Sequence, residues 1–237
     1  VYVRDVETID VAGELVRDGY IRSANAFGFL FLLFAGDKHI EPGGYRLDAA
    51  MNAWQIMQKI SGKPDLVWVS MREGLRKEQV GEILAIALDW DVSKQEQWNN
   101  LYTIENKPEY AEGVYFPDRY LIPRDDSVEE VAKRFIDRFN EKFAPFLAGF
   151  TAKNIRWTTG LTIASLIQRE AGGTGDMKLI SGIIWKRLGV DMRLEIDAAL
   201  QYLHGKNPDR WWGKIDMADK HSASPYKLCR VKGLRPA

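Results

Sequence analysis

The sequence predicts an α+β fold, and three observations carry that expectation. Apolar residues recur at helical spacing in several segments, as at Val80, Ile83, Leu84 and Ala87. Short β-rich runs such as Leu66 to Met71 lie between those segments. Breakers separate the two kinds of stretch, as at Pro42-Gly43-Gly44 and Ser61-Gly62-Lys63-Pro64. Helices interleaved with short strands are the signature of this class. Of the 237 residues, 46% are apolar, which supplies a core, and 28% are charged, which supplies a hydrated surface.

In chain order, Val1 to Val3 reads as a short strand. Thr8 to Arg17 reads as a helix with Val11, Leu15 and Val16 inward. Ser23 is placed to cap a second helix through Phe27–Phe34, whose apolar residues on all sides predict burial. A strand is expected at Tyr45 and Leu47, then a helix from Asn52 to Ile60. Leu66 to Met71 is a strand and Arg76 to Leu88 a helix. The pattern of Val1-Tyr2-Val3, Val11 and Leu15 recurs at Val67-Trp68-Val69, Val80 and Leu84, which suggests an internal duplication. Asp91 to Lys107 is polar and marks a boundary between halves. Glu112 to Tyr120 is an aromatic loop or strand pinned by Pro117. Ser127-Val128-Glu129-Glu130 is a capping box for a helix with the stripe Val131, Phe135, Phe139. A helix from Asp176 to Leu188 puts Ile180, Ile184 and Arg187 on one face. Met192, Leu194 and Ile196 alternate with Arg193, Glu195 and Asp197 as a half-buried strand, and Asp197 is also placed to cap a helix from Ala198 to Leu203.

The stretch from Leu161 to Glu170 is the most informative. On a helix, Ile163, Leu166, Ile167 and Glu170 share one face, so Glu170 falls where a fourth apolar residue is expected. With Thr162 as N-cap and Gly172-Gly173 as the stop, the carboxyl lies in the last turn, at the negative end of the helix dipole. An apolar setting and that dipole both disfavour the ionised form, which suits a general acid. The competing reading is a boundary glutamate at a helix end.

Composition narrows the chemistry. Formal net charge is zero, so no nucleic-acid partner is expected. Cys229 is the single cysteine, which rules out an internal disulfide and a cysteine-based zinc site; His39, His204 and His221 are scattered without ligand spacing, so no metal is expected. Gly172-Gly173-Thr174-Gly175 lacks the Lys-Ser/Thr of a P-loop, and no G-x-S-x-G frame surrounds a serine. No cofactor is expected. Pyridoxal-phosphate lyase chemistry would need a Schiff-base lysine and a phosphate cup, and no convincing set is present. The longest apolar run, Phe27 to Ala35, is too short to cross a bilayer.

Several segments taken together resemble a known family. Glu112-Gly113-Val114-Tyr115-Phe116-Pro117-Asp118-Arg119-Tyr120 resembles E-G-Y-L-F-P-D-T-Y of the endolytic murein transglycosylases, the YceG-like family. Ala164-Ser165-Leu166-Ile167-Gln168-Arg169-Glu170 is similar to A-S-I-V-E-K-E, Met192 to Asp197 to M-P-L-Q-S-D, and Ser224-Pro225-Tyr226 through Pro236 to S-P-Y-N-T-Y-x-x-x-G-L-P-P. Upstream, Glu41 to Leu47 is similar to K-A-G-x-Y-x-L, and Met71-Arg72-Glu73-Gly74 to I-P-E-G. The order and approximate spacing agree along nearly the whole chain. Departures stand at Gln168, Ile196, Ala198, Ala199 and Lys227, and the chain ends before the family's G-P-I continuation.

The resemblance implies a LysM-like, glycan-associated region over 1–105 and a catalytic domain over 106–237. It implies a peptidoglycan lytic transglycosylase that cuts the bond between N-acetylmuramic acid and N-acetylglucosamine without water, leaving a 1,6-anhydromuramyl end and so terminating or trimming nascent strands. Glu170 is the implied catalytic acid. Asp197, Tyr226, Arg187, Glu195, Ser224 and Asp118 are the implied substrate contacts. On the residues alone, Asp197 equally caps a helix, Arg187 equally ends one, and Trp157, Trp185, Trp211 and Trp212 either stack on sugars or pack. The resemblance also implies one transmembrane helix before Val1, in the bacterial cytoplasmic membrane, with this portion on the extracytoplasmic side, and cell-wall synthases as partners. The rival reading is a non-catalytic peptidoglycan-binding scaffold.

Overall fold

The computed structural model describes residues 2–3, 8–36, 39–101, 112–207, 210–214 and 233–234. It is an α+β structure in two compact units that alternate along the chain. The first comprises Val1–Arg72, Glu78–Asn100 and Pro117–Arg134; the second comprises Glu73–Lys77, Leu101–Phe116 and Phe135–Ala237.

The first unit is built on a four-stranded antiparallel sheet in the order β1 (Tyr2–Val3), β2 (Gly43–Gly44), β3 (Leu66–Ser70), β4 (Arg119–Pro123). The β3–β4 pair is the long one, running in register from Leu66↔Pro123 to Ser70↔Arg119. Between β1 and β2 lie α1 (Thr8–Arg17) and α2 (Ala24–Ala35), and α3 (Ala53–Ile60) leads into β3. Between β3 and β4 lie α4 (Lys77–Leu88) and α5 (Val92–Asn99). The order strand–helix–helix–strand therefore occurs twice, each time with its two strands paired antiparallel.

Local chemistry sets these helix starts. Ser23 Oγ accepts the Ala26 amide at 3.3 Å, and Asp91 Oδ1 accepts the Lys94 amide at 2.8 Å. Asn52 and Gln55 form a reciprocal capping box that opens α3 one residue later than expected. Val11, Ala12, Leu15, Phe27, Phe31, Ile56, Met57 and Ile60 bury together.

Three expectations need correction here. Val16 faces out, because it lies one residue, 100° of helix, past the buried Leu15. The second helix is not buried all round: Phe29 and Leu32 are 68% and 66% exposed, and Leu33 and Phe34 are also open. α2 packs on α1 and α3 through its Phe27–Phe31 face, and Phe34 near its end meets Trp54 of α3 edge-on at 4.7 Å. The expected strand at Tyr45 and Leu47 is displaced to Gly43–Gly44; Tyr45 is instead a buried anchor whose hydroxyl donates to the carbonyls of Glu41 at 2.9 Å and Gly62 at 3.3 Å.

Asp65 ties α3 to the sheet. Its carboxylate accepts from Lys59 Nζ at 2.5 Å and from the Arg46 amide at 2.8 Å. Burial opposes its charge, but the hydrogen bonds from Lys59 and Arg46 outweigh it and hold its pKa below the ordinary carboxylate value of 3.8. A depressed folded-state pKa stabilises the fold above the unfolded value and loses that contribution as pH falls through the folded one. Asp65→Asn is therefore expected to cost about 1–3 kcal/mol at neutral pH. The gap between variant and parent should close below about pH 4 in urea titrations run across the acid range.

The second unit holds most of α6 (Val128–Ala152), then α7 (Trp157–Glu170), α8 (Met177–Gly189), α9 (Ala198–His204) and a small hairpin of β5 (Lys206–Asn207) and β6 (Arg210–Trp211). The Ser127–Glu130 capping box forms as expected, with bonds of 2.7 and 3.2 Å, and Val131, Phe135 and Phe139 bury. No described helix is long and apolar enough to cross a membrane.

Candidate active site

α7 starts earlier than its sequence suggests. It begins at Trp157 after Arg156, and Thr162, read as the cap, sits inside it with its hydroxyl donating to the Thr158 carbonyl at 3.0 Å. An aromatic cluster sets this start. Trp157 packs against Phe139 and Phe143 of α6 at centroid distances of 5.7 and 5.9 Å, and Phe143 stacks on Phe150 at 5.6 Å. Gly160 faces that cluster with no room to spare: a Cβ there would lie 2.2 Å from Phe150 Cε1. Gly160→Ala, ordinarily favourable in a helix, is expected to destabilise by about 1–3 kcal/mol through overpacking. Adding Phe150→Leu should recover part of the loss in thermal melts.

The other end of α7 carries the acid. The helix stops because Ala171 turns to an extended conformation (φ −72°, ψ 127°), one residue before the glycine pair expected to end it. Ile163 and Leu166 are buried against Ile184, Leu194, Ile196, Ala198 and Ala199, and Ile167 is half-buried. Burial fades along this face, and Glu170 is exposed. The enclosed, apolar carboxyl expected from the periodicity is thus corrected: the core ends a turn before the helix does. Glu170 has no hydrogen-bond or ion-pair partner among the described residues.

Glu170 opens onto a groove lined by Ile180, Ile183, Ile184, Arg187, Leu194, Glu195 and Ile196. The α8 face foreseen from spacing, Ile180–Ile184–Arg187, forms one wall. The opposite wall is the 192–197 segment, which is not the strand its alternation suggests. Leu194 and Ile196 do bury, but Glu195 sits at φ 55°, a left-handed conformation that no strand contains. Arg187 holds this wall: its Nη1 donates to the Leu194 carbonyl at 2.5 Å and lies 3.6 Å from Glu195 Oε2. Of the two carboxylates on the groove, Glu195 is therefore engaged and Glu170 is not. Asp197, next in the chain, occupies the first position before α9 but has helical angles and makes no capping bond with its side chain. Its expected capping role is corrected.

In the same unit, a second cluster surrounds the 210–213 turn. Arg76 is buried; it donates to the Tyr202 carbonyl at 2.5 Å, and its guanidinium lies 4.1 Å from the Tyr202 ring and 4.9 Å from the Trp211 ring. Glu112 ties this cluster down, accepting from the Gly113 amide at 3.1 Å and the Tyr202 hydroxyl at 3.1 Å. Among the described residues no group of three or more His, Cys, Asp or Glu side chains could hold a metal ion.

The sequence model of the YceG-like family matches residues 1–237, the entire chain. The chain belongs to the YceG-like family. A YceG-like relative in Bacillus subtilis, an endolytic murein transglycosylase, is 26% identical over 249 residues, covering 95% of this chain and 67% of that protein. A protein of the same name in Streptococcus pneumoniae is 32% identical over 126 residues, 53% of this chain and 23% of that one. The chain thus spans about a quarter of the length of the pneumococcal relative. Among solved structures, the putative YceG-like protein lmo1499 of Listeria monocytogenes shares the fold, with a TM-score of 0.64 at 23% identity, covering 97% of this chain and 81% of that one.

Of the site residues expected from the YceG-like resemblance, the structure brings Glu170, Arg187 and Glu195 to one groove. Asp197 follows directly on its wall and is half-buried. Asp118 belongs to the first unit, where its Oδ1 accepts the Arg119 amide at 2.8 Å and its carbonyl accepts the Met71 amide at 2.9 Å. Ser224 and Tyr226 lie outside the described residues, as do Lys227, His221 and Cys229. Two neighbours of the acid were not foreseen as site residues. Ile183 lines the groove although it lies off the predicted α8 stripe, and Arg169, inside the YceG-like motif, carries a cation beside Glu170 where the family motif has lysine.

Proposed function

We propose that this chain carries an endolytic peptidoglycan lytic transglycosylase with Glu170 as its single proton-transfer group. The observation that carries the reading is an exposed carboxyl, without a partner among the described residues, on an open groove whose other carboxylate is taken up by Arg187. Glu170 protonates the oxygen of the β-1,4 bond between N-acetylmuramic acid and N-acetylglucosamine, and the C1–O bond breaks. The sugar's own 6-hydroxyl attacks the oxocarbenium-like C1 and returns its proton to Glu170. The balance needs no water, and the product is a 1,6-anhydromuramyl end. An internal nucleophile gains from proximity, so one acid suffices where ordinary glycosidases need two.

Arg187 and Glu195 contact the substrate from the groove, and Asp197, Asp118, Ser224 and Tyr226 complete the set implied by the family motifs. The first unit, with its repeated strand–helix–helix–strand order, serves as a LysM-like glycan-binding region, and the second unit carries the catalytic groove. The cut terminates or trims nascent strands. The protein works from the extracytoplasmic face of the bacterial cytoplasmic membrane, held by a single transmembrane helix and alongside cell-wall synthases. The names of the relatives in Bacillus subtilis and Streptococcus pneumoniae support this reading.

Digestion of purified peptidoglycan, with mass spectrometry of the new ends, tests it. Anhydromuramyl ends are the expected result. Reducing ends would instead assign a two-carboxylate hydrolase with Glu195 as partner, and strands bound but uncut would assign a scaffold.

A further inference from the structure

Arg169 precedes the acid and is exposed, yet its position is built. Its guanidinium lies 4.2 Å from the Trp212 ring centroid, and its Nη2 donates to Gln201 Oε1 at 3.4 Å. Gln201 in turn donates from Nε2 to the Gly213 carbonyl at 3.2 Å, so the same side chain fixes both the cation and the turn that carries Trp212. Trp212 itself sits at φ 66°, a left-handed conformation costly for a bulky residue and typical of ligand-facing positions. A guanidinium stacked on an indole loses rotational freedom but keeps its edge donors. Among the described residues only one of those donors is used, and no carboxylate pairs with Arg169.

We propose that Arg169, pre-oriented on Trp212 by Gln201, binds a carboxylate of the glycan strand beside the bond that Glu170 cleaves. The inference rests on the transglycosylase reading and names what that site selects. Consecutive helical residues project about 100° apart, so the groove and the Arg169–Trp212 platform flank Glu170 on different sides. A strand lying across the acid would meet both. Two carboxylates on such a strand fit: one on the peptide stem, or the lactyl carboxylate exposed once the stem is removed. A planar guanidinium recognises either through paired hydrogen bonds.

The test uses purified protein and three substrates: strands with peptide stems, strands stripped by an amidase, and stripped strands whose lactyl carboxylates have been converted to methylamides. Arg169→Gln should lower kcat/KM by about 10- to 100-fold on a carboxylate-bearing strand, the size expected for losing a charge-assisted hydrogen bond, and mainly through KM. It should leave the methylamide strand unaffected, and Arg169→Lys should recover part of the loss. An effect confined to stem-bearing strands identifies the stem carboxylate; one that persists on stripped strands identifies the lactyl group. Equal loss on all three substrates, or no loss on any, overturns the proposal. Absence of anhydromuramyl ends with the parent protein would sink the transglycosylase reading instead. In that event co-sedimentation with the same three strands still reads Arg169, through loss of binding to the carboxylate-bearing ones alone.

Discussion

Glu170→Gln is expected to abolish formation of anhydromuramyl ends while the protein stays folded. The amide keeps the size and shape of the side chain but can neither give a proton to the glycosidic oxygen nor take one back from the 6-hydroxyl. General acid–base catalysis typically supplies about 10²- to 10⁴-fold, and in the proposed mechanism one group serves both steps, so a loss of at least about 1,000-fold is expected. Stability should hardly change. The side chain is exposed and has no described partner to lose, and substitutions of that kind usually stay within about 0.5 kcal/mol. Chromatography with mass spectrometry of the strand ends reads the first effect and thermal melts read the second. Full activity in this variant would remove Glu170 from the reaction. Lost activity together with a lost melting transition would show that the residue holds structure.

The largest effect on stability is expected in the first unit, at Trp98. Its side chain is 0% exposed, and its ring centroid lies 6.0 Å from that of Trp90. A Cβ at Gly81 of α4 would lie 2.5 Å from Trp98 Cδ1, so the indole fills the space that only a glycine leaves. Trp98→Ala should cost about 3–5 kcal/mol, a large part of what a domain of this size has to spare. The close approach supplies a sharper test. Gly81→Ala should cost about 1–3 kcal/mol in the parent protein, because the added methyl overpacks the indole. With Trp98 already truncated, the same change should cost almost nothing. Denaturant titrations of the two single variants and the double variant measure this coupling. Additive costs would show that the two positions do not share the space.

Much of the architecture is legible in the residues, because the features concerned are local. The Ser23 cap, the Ser127–Glu130 box and the stripe Val131–Phe135–Phe139 each depend on spacing within a few turns of chain, and each forms. The errors share a cause. Phe29, Leu32 and Leu33 look like core because they are apolar, but burial needs a neighbour on that side, and among the described elements α2 packs on α1 and α3 through its Phe27–Phe31 face. Thr162 looks like a cap because it precedes an apolar run, but the Phe139–Phe143–Trp157 cluster starts the helix six residues earlier. Leu194 and Ile196 alternate like a strand, but the left-handed turn at Glu195 denies them one.

The candidate site divides in the same way. The sequence alone determined that a carboxyl ends an apolar helical face at Glu170, that Ile180, Ile184 and Arg187 share a face, and that the motifs follow the YceG-like order. All of these are matters of residue identity and short-range spacing. Only the tertiary structure decided that Glu170 is exposed and without a partner among the described residues while Arg187 takes up Glu195, and that Arg169 lies against Trp212, 43 positions along the chain. Whether a charge is paired or left available depends on which distant segments pack beside it, and periodicity along one helix carries no information about that.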